Sequence, residues 1–253
     1  ALQVRPSHTD VNASSERLLQ AARAVGEHLC NIALGGEDTA EWLGITPVKE
    51  REWNLLTTGF DLYSGISGIA LFLAYLGKMT EERRFVTVTE RALTTMRSLI
   101  EQQKKRPAAA NIGTFNGLGS CIYLLSHLGS LWNDPRLYRE AEDLVKLLSE
   151  AIARDQMFDM VGGAAGYIAA LVSLYTVAPT PETLAAAIQC GDHLIECARP
   201  LEVGVGWLIN GEERPLTGLA HGNAGIALNL LRLFAVTGEE RFRQTALEAI
   251  MYE

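Results

Sequence analysis

Four times in this chain a short glycine-bearing turn opens a strongly apolar helix. The copies read DLYSGISGIALFLAYLG (61–77), NGLGSCIYLLSHLG (116–129), DMVGGAAGYIAALVSLY (159–175) and TGLAHGNAGIALNLL (217–231). Aligned on the helix-opening glycines Gly65, Gly117, Gly163 and Gly222, they recur at intervals of 52, 46 and 59 residues. Such spacing marks a repeat architecture, in which each unit buries its apolar face only by stacking on its neighbours.

Within each copy the apolar residues follow helical spacing: Ile69, Phe72, Leu73 and Leu76 in the first, Cys121, Leu124, Leu125 and Leu128 in the second. The positions between them are also small or apolar, so these read as inner helices buried on most sides. Amphipathic segments lie between them. Asp134-Pro135 and Thr180-Pro181 each place a capping residue before a proline at the first helical position. The first then runs Leu137, Ala141, Leu144, Val145, Leu148 and Ile152, and the second Leu184, Ile188 and Leu194. These read as outer helices with one stripe inward and charge toward water. Alternating inner and outer helices predict an all-α, α/α-toroid array of hairpins over 59–253, preceded by a lead-in over 1–58. In the lead-in, Ser14–Leu34 has helical spacing, whereas Gly35–Trp53 reads as polar and turn-rich.

If the inner helices converge on one axis, their turns gather at one rim, and Ser64, Asn116, Gly162 and His221 face a shared mouth. His221 precedes Gly222 at a helix N-terminus, which disfavours a positively charged ring and disposes it to accept or relay a proton. Capping the helix is its plainer role. Asp61 and Asp159 each lie four residues before a turn glycine, where an aspartate serves as a cap or as a rim carboxylate. Asp159 belongs to the repeat directly before that of His221, so the two can meet across adjacent hairpins.

The charge balance, 22 basic against 30 acidic residues with no basic stripe, argues against a nucleic-acid partner held by phosphate neutralisation. Lys104, Lys105 and Arg106 read as a solvated helix end. The N-terminal ALQVRPSHTD has no secretory apolar core and no apolar run reaches membrane-spanning length, so the cytoplasm is the expected location. Cys30, Cys121, Cys190 and Cys197 are scattered as buried, reduced thiols would be. Cys190 and His193, with Cys197 further on, have partial metal-ligand spacing, but a zinc site needs three or four converging ligands. Trp207 in GVGW reads as a packed aromatic after a turn.

YSGISGIALFLAYL, DMVGGAAGYIAAL and above all TGLAHGNAGIALNLL resemble the lanthionine synthetase C-like cyclases. The resemblance runs from about residue 50 to the end and is strongest to the cyclase domain of class II lanthipeptide synthetases. It implies a toroid of up to seven hairpins that adds precursor-peptide cysteine thiols to dehydroalanine or dehydrobutyrine, closing (methyl)lanthionine rings. It further implies that Asp159 and His221, at the family's motif positions, handle protons. A zinc ion held by two cysteines and a histidine, a dehydrated leader-bearing precursor peptide and a fused dehydratase domain are implied as cofactor and partners. The family's zinc ligands follow the His-Gly repeat in Cys-Gly and Cys-His-Gly motifs, and neither Cys nor His follows Gly222 here. The expectation is a chain truncated before those ligands, with no metal site, an unfinished ring and no cyclase activity of its own.

Two other functions compete. A carbohydrate-active toroid enzyme needs paired carboxylates at the mouth, for which Asp61 and Asp159 are the register-matched pair. A non-catalytic relative would bind peptides or thiols on the helical array.

Overall fold

The computed structural model describes residues 14–49, 51–105, 111–209 and 212–253. ALQVRPSHTD and Arg106 lie outside them. The chain order is α1 (Ser15–Ile32), β1 (Leu43–Lys49), β2 (Glu52–Thr57), α2 (Ile66–Thr80), α3 (Arg83–Lys104), α4 (Gly119–Trp132), α5 (Pro135–Ile152), α6 (Ala164–Val177) and α7 (Pro181–Cys197). There follow β3 (Arg199–Pro200), β4 (Val205–Gly206), α8 (Asn223–Thr237) and α9 (Glu240–Ile250).

Four antiparallel hairpins, α2–α3, α4–α5, α6–α7 and α8–α9, stand side by side. The inner helices pack in the order α2, α4, α6, α8, and α5 packs on α7 in the outer layer. This is the α/α-toroid arrangement. The core lies between the layers, where Leu73, Phe85, Met96, Leu128, Leu148, Tyr167, Leu174, Leu230 and Phe242 are buried. The two proline-led outer helices start as expected. Arg136 N–H donates to Asp134 Oδ1 at 3.0 Å, and Thr183 N–H to Thr180 Oγ1 at 3.3 Å.

The segment read as polar and turn-rich, 35–53, instead contains most of an antiparallel hairpin in which Leu43 faces Thr57 and Ile45 faces Leu55. Ile45, Trp53 and Leu55 are exposed, so the inward–outward alternation that normally marks a strand is missing. The lead-in is nevertheless tied to the repeats. Trp42 is buried and its Nε1–H donates to Leu29 O at 2.9 Å, as Trp207 Nε1–H donates to Leu194 O at 2.8 Å. A Cβ on Gly26 of α1 would meet Leu76 and Phe85, and one on Gly191 of α7 would meet Leu233 and Phe242. Arg84 pairs with Glu27 and covers the Phe85 ring, as Arg241 pairs with Asp192 and covers Phe242. Helix α1 thus holds toward α2–α3 the place that α7 holds toward α8–α9.

Candidate active site

The turn glycines are required by close approach. Their backbones are extended at Gly65, Gly163 and Gly222, with φ of −113°, −120° and −113°. An added Cβ at Gly65, Gly117, Gly163 or Gly222 would stand 2.6, 2.7, 2.6 or 2.7 Å from the backbone nitrogen four residues earlier. Each turn therefore folds back on itself in the same way, and any side chain would force it open. The second copy slips: α4 starts at Gly119, two residues after Gly117, with Leu118 as N-cap. Where the other copies have a second glycine, Gly68, Gly166 or Gly225, this one has Ser120, whose hydroxyl donates to Gly117 O.

A backbone ladder joins the turns at the rim. Tyr63 N–H donates to Phe115 O at 2.9 Å, and Phe115 N–H to Val161 O at 3.1 Å. The next rung would run from Val161 N–H toward Ala220. Instead Val161 N–H turns back to Asp159 Oδ1 at 3.0 Å, joined there by Gly162 N–H at 2.7 Å. The third and fourth turns are bridged by side chains: His221 Nδ1 lies 2.7 Å from Asp159 Oδ2.

Asp159 is fully buried, while the His221 side chain keeps 54% of its surface exposed. The carboxylate accepts three N–H bonds, which is how a buried acid is made tolerable. Because a carboxylate only accepts, the imidazole must donate from Nδ1, leaving the Nε2 lone pair free at the solvent side. A buried acid has thus fixed the tautomer and orientation of an exposed base.

Asp61, the register counterpart of Asp159, accepts Ser64 N–H at 2.7 Å and the Ser64 hydroxyl at 3.2 Å, which is the capping role. Ser64, Asn116 and His221 are all exposed; Gly162 is buried, with Asn116 Nδ2 3.3 Å from where its Cβ would lie. Cys190 is buried, and His193 Nε2 is engaged by Asp155 O at 2.8 Å. Among the described residues no three His, Cys, Asp or Glu side chains converge as a metal site would require. The described residues therefore do not make a zinc site.

The sequence reading missed Asp155. Its carboxylate accepts Met157 N–H, Phe158 N–H and, at 2.8 Å, Ala164 N–H at the start of α6. Burial raises its pKa, against the pull of those three N–H bonds. It anchors Phe158, whose φ of +56° is the left-handed conformation a non-glycine residue rarely adopts, directly before Asp159. The visible signal was a second aspartate four residues before Asp159. Opposite, Glu253 accepts Gly218 N–H at 3.0 Å and Ala224 N–H at 2.6 Å, steadying the turn that carries His221.

A row of α/α hairpins with a buried acid clasping an exposed histidine at its rim defines a toroid protein with its polar site at the helix-opening end. Residues 57–253 match the family model described as lanthionine synthetase C-like protein, and the chain belongs to that family. Among solved structures it is similar to nisin cyclase, at a TM-score of 0.57 and 14% identity over 76% of this chain. It spans 57% of the length of nisin cyclase. It is also similar to an inactive α-1,6-mannanase variant of Salegentibacter sp. HEL1_6 in complex with α-1,6-mannotriose. That likeness has a TM-score of 0.52 and 15% identity, covering 91% of this chain and 68% of that one. No curated protein matches. Among the described residues no helix is long and apolar enough to cross a membrane.

Proposed function

We propose that this chain forms part of a lanthipeptide cyclase, joining cysteine thiols of a precursor peptide to its dehydroalanine or dehydrobutyrine residues. Its partners in this reading are the dehydrated, leader-bearing peptide and a fused dehydratase domain. The observation that carries the reading is the Asp159–His221 pair, set at the rim of a toroid of the lanthionine synthetase C-like family.

The reaction moves one proton. His221 Nε2 takes the thiol proton, and the sulfur forms a bond to the β-carbon of the dehydro residue. The alkene electron pair shifts to the carbonyl oxygen as an enolate. The imidazolium then returns its proton to the α-carbon, so no atom is gained or lost. Asp159 stabilises the imidazolium between the two steps and keeps its ring aimed outward. An acid–base group so placed contributes about 10²–10⁴-fold to such a step.

The likeness to the mannanase shows the fold alone. Sugar hydrolysis needs two carboxylates across the scissile bond. Asp61 is spent on Ser64 and Asp159 on His221, so neither is held ready for that role. The test offers the natural polypeptide containing these residues a peptide with one cysteine and one dehydroalanine, and separately an α-1,6-mannooligosaccharide. Loss of the free thiol without a change in peptide mass supports the proposal; sugar cleavage without thiol loss overturns it.

A further inference from the structure

The inner helices α2, α4, α6 and α8 contain no Asp or Glu, in a chain with 30 of them. Their only Lys or Arg side chains are Lys78 and Arg232. The part of the axial wall that these four helices form therefore carries no negative charge, in a chain that is net acidic, a distribution that draws anions toward it.

Four polar residues on that wall stand at one offset from their turn glycines. A Cβ on Gly77 would meet Val86 of α3 and one on Gly129 would meet Tyr138 of α5, which fixes the face of α2 and α4 turned to the outer layer. The opposite, concave face carries the residues ten positions after each turn glycine: Tyr75, His127, Ser173 and Arg232. All four retain solvent exposure. At a rise of 1.5 Å per residue they lie about 15 Å below the rim. Four residues deeper the same face is apolar throughout: Met79, Leu131, Val177 and Val236.

Two of these groups meet. The Tyr75 hydroxyl and His127 Nδ1 are 2.7 Å apart, and the Tyr123 and His127 ring centroids 4.2 Å apart. Burial raises the pKa of Tyr123, the Tyr75 phenol adds to the rise, and the Arg232 charge on α8 opposes it. Burial lowers the pKa of His127, which favours the neutral ring. Arg232 Nη1 donates to Asn229 Oδ1 at 3.3 Å, a neutral partner, and among the described residues no carboxylate forms an ion pair with it.

We infer that this belt is a carboxylate-binding site, in which Arg232, at the same offset from its turn glycine as His127 and Ser173, receives an acidic side chain of the peptide. A guanidinium matches a carboxylate in two parallel hydrogen bonds, and no acidic neighbour on these helices competes for it. A span of about 15 Å corresponds to roughly four to five residues of extended chain. The acid therefore lies about that far from the residue reacting at His221. The identity of the ligand as a peptide rests on the cyclase reading; the carboxylate site itself does not.

The test uses two capped peptides, acetyl-Gly-Gly-Gly-Gly-Glu-amide and its Gln counterpart, titrated at low salt while the His127 ring protons are followed by NMR. The Glu peptide should bind about five-fold or more tightly than the Gln peptide, as expected for one charge-assisted contact. Arg232→Gln, on an exposed side chain, should remove that difference, and Arg232→Lys should retain part of it. Equal binding of the two peptides, or a preference that survives Arg232→Gln, overturns the proposal. Binding is read without ring closure. A Glu preference in a protein that never forms a thioether keeps the carboxylate site and discards the cyclase reading.

Discussion

Asp159 Oδ2 and His221 Nδ1 lie 2.7 Å apart although 62 residues separate them in sequence. Stacking of α6 on α8 brings their turns together, and the two backbone N–H bonds on Oδ1 hold the other half of the carboxylate in place. This geometry predicts that neutral His221 carries its proton on Nδ1. Nitrogen-15 NMR of the ring should show that tautomer in the parent and a loss of the preference in Asp159→Ala. A parent ring protonated on Nε2 would contradict the bond as drawn.

The turn glycines are predicted to be intolerant because of contact. In Gly222→Ala the new carbon would stand 2.7 Å from the Gly218 nitrogen and overlap the Thr217 carbonyl. Overpacking of this kind costs about 1–3 kcal/mol. In a domain of 150–250 residues each kcal/mol lowers Tm by about 2–4 °C. Gly36→Ala, where nothing lies within 4 Å, should leave the melting curve where it was.

The repeated turns, the inner helices and the capped starts of α5 and α7 were legible because each is a local pattern. The Asp159–His221 encounter was legible only as a register argument, since both stand at fixed offsets from their glycines. The β-hairpin was not, because exposed Ile45, Trp53 and Leu55 give no buried face to alternate against. Nor was the equivalence of α1 and α7, although a short signal existed. Thr80, Glu82, Arg84 and Phe85 recur in the same spacing as Thr237, Glu239, Arg241 and Phe242. At both places the threonine hydroxyl donates back to the helix and accepts from the glutamate N–H, turning the chain into the outer helix. Asp155 was hidden because its work is to hold Phe158 in a conformation the sequence does not announce.

His127 should make stability fall in mild acid. Burial lowers its pKa from 6.5, so as the pH drops below 6.5 the unfolded chain binds a proton that the folded ring refuses. The unfolded state then holds more protons, and stability declines from pH 6.5 down to the folded pKa. Thermal melts between pH 7.5 and 5.5 should show this decline, and His127→Gln should flatten it. An unchanged slope in the variant would show that His127 titrates alike in both states.

The protein's own thiols should be inert toward an electrophilic dehydro residue. Burial pushes Cys121 up to about 12 and Cys190 well above its ordinary value, while half-buried Cys30 and Cys197 are raised by the same cause. The thiolate is the nucleophile, so all four are held in the unreactive form. Iodoacetamide at pH 7.5 should leave Cys121 and Cys190 unmodified until the protein is unfolded, as read by intact mass. Rapid labelling of either in the folded protein would contradict the packing around it.

The most direct test of the Asp159–His221 mechanism is the rate of thioether closure by the natural polypeptide containing these residues. Its substrate is a peptide bearing one cysteine and one dehydroalanine, with free thiol counted by alkylation and mass spectrometry. Asp159→Asn and His221→Ala should each slow closure by about 10²–10⁴-fold, with no further loss when combined, because the two residues act as one unit. Closure at the parent rate in both variants would contradict the account.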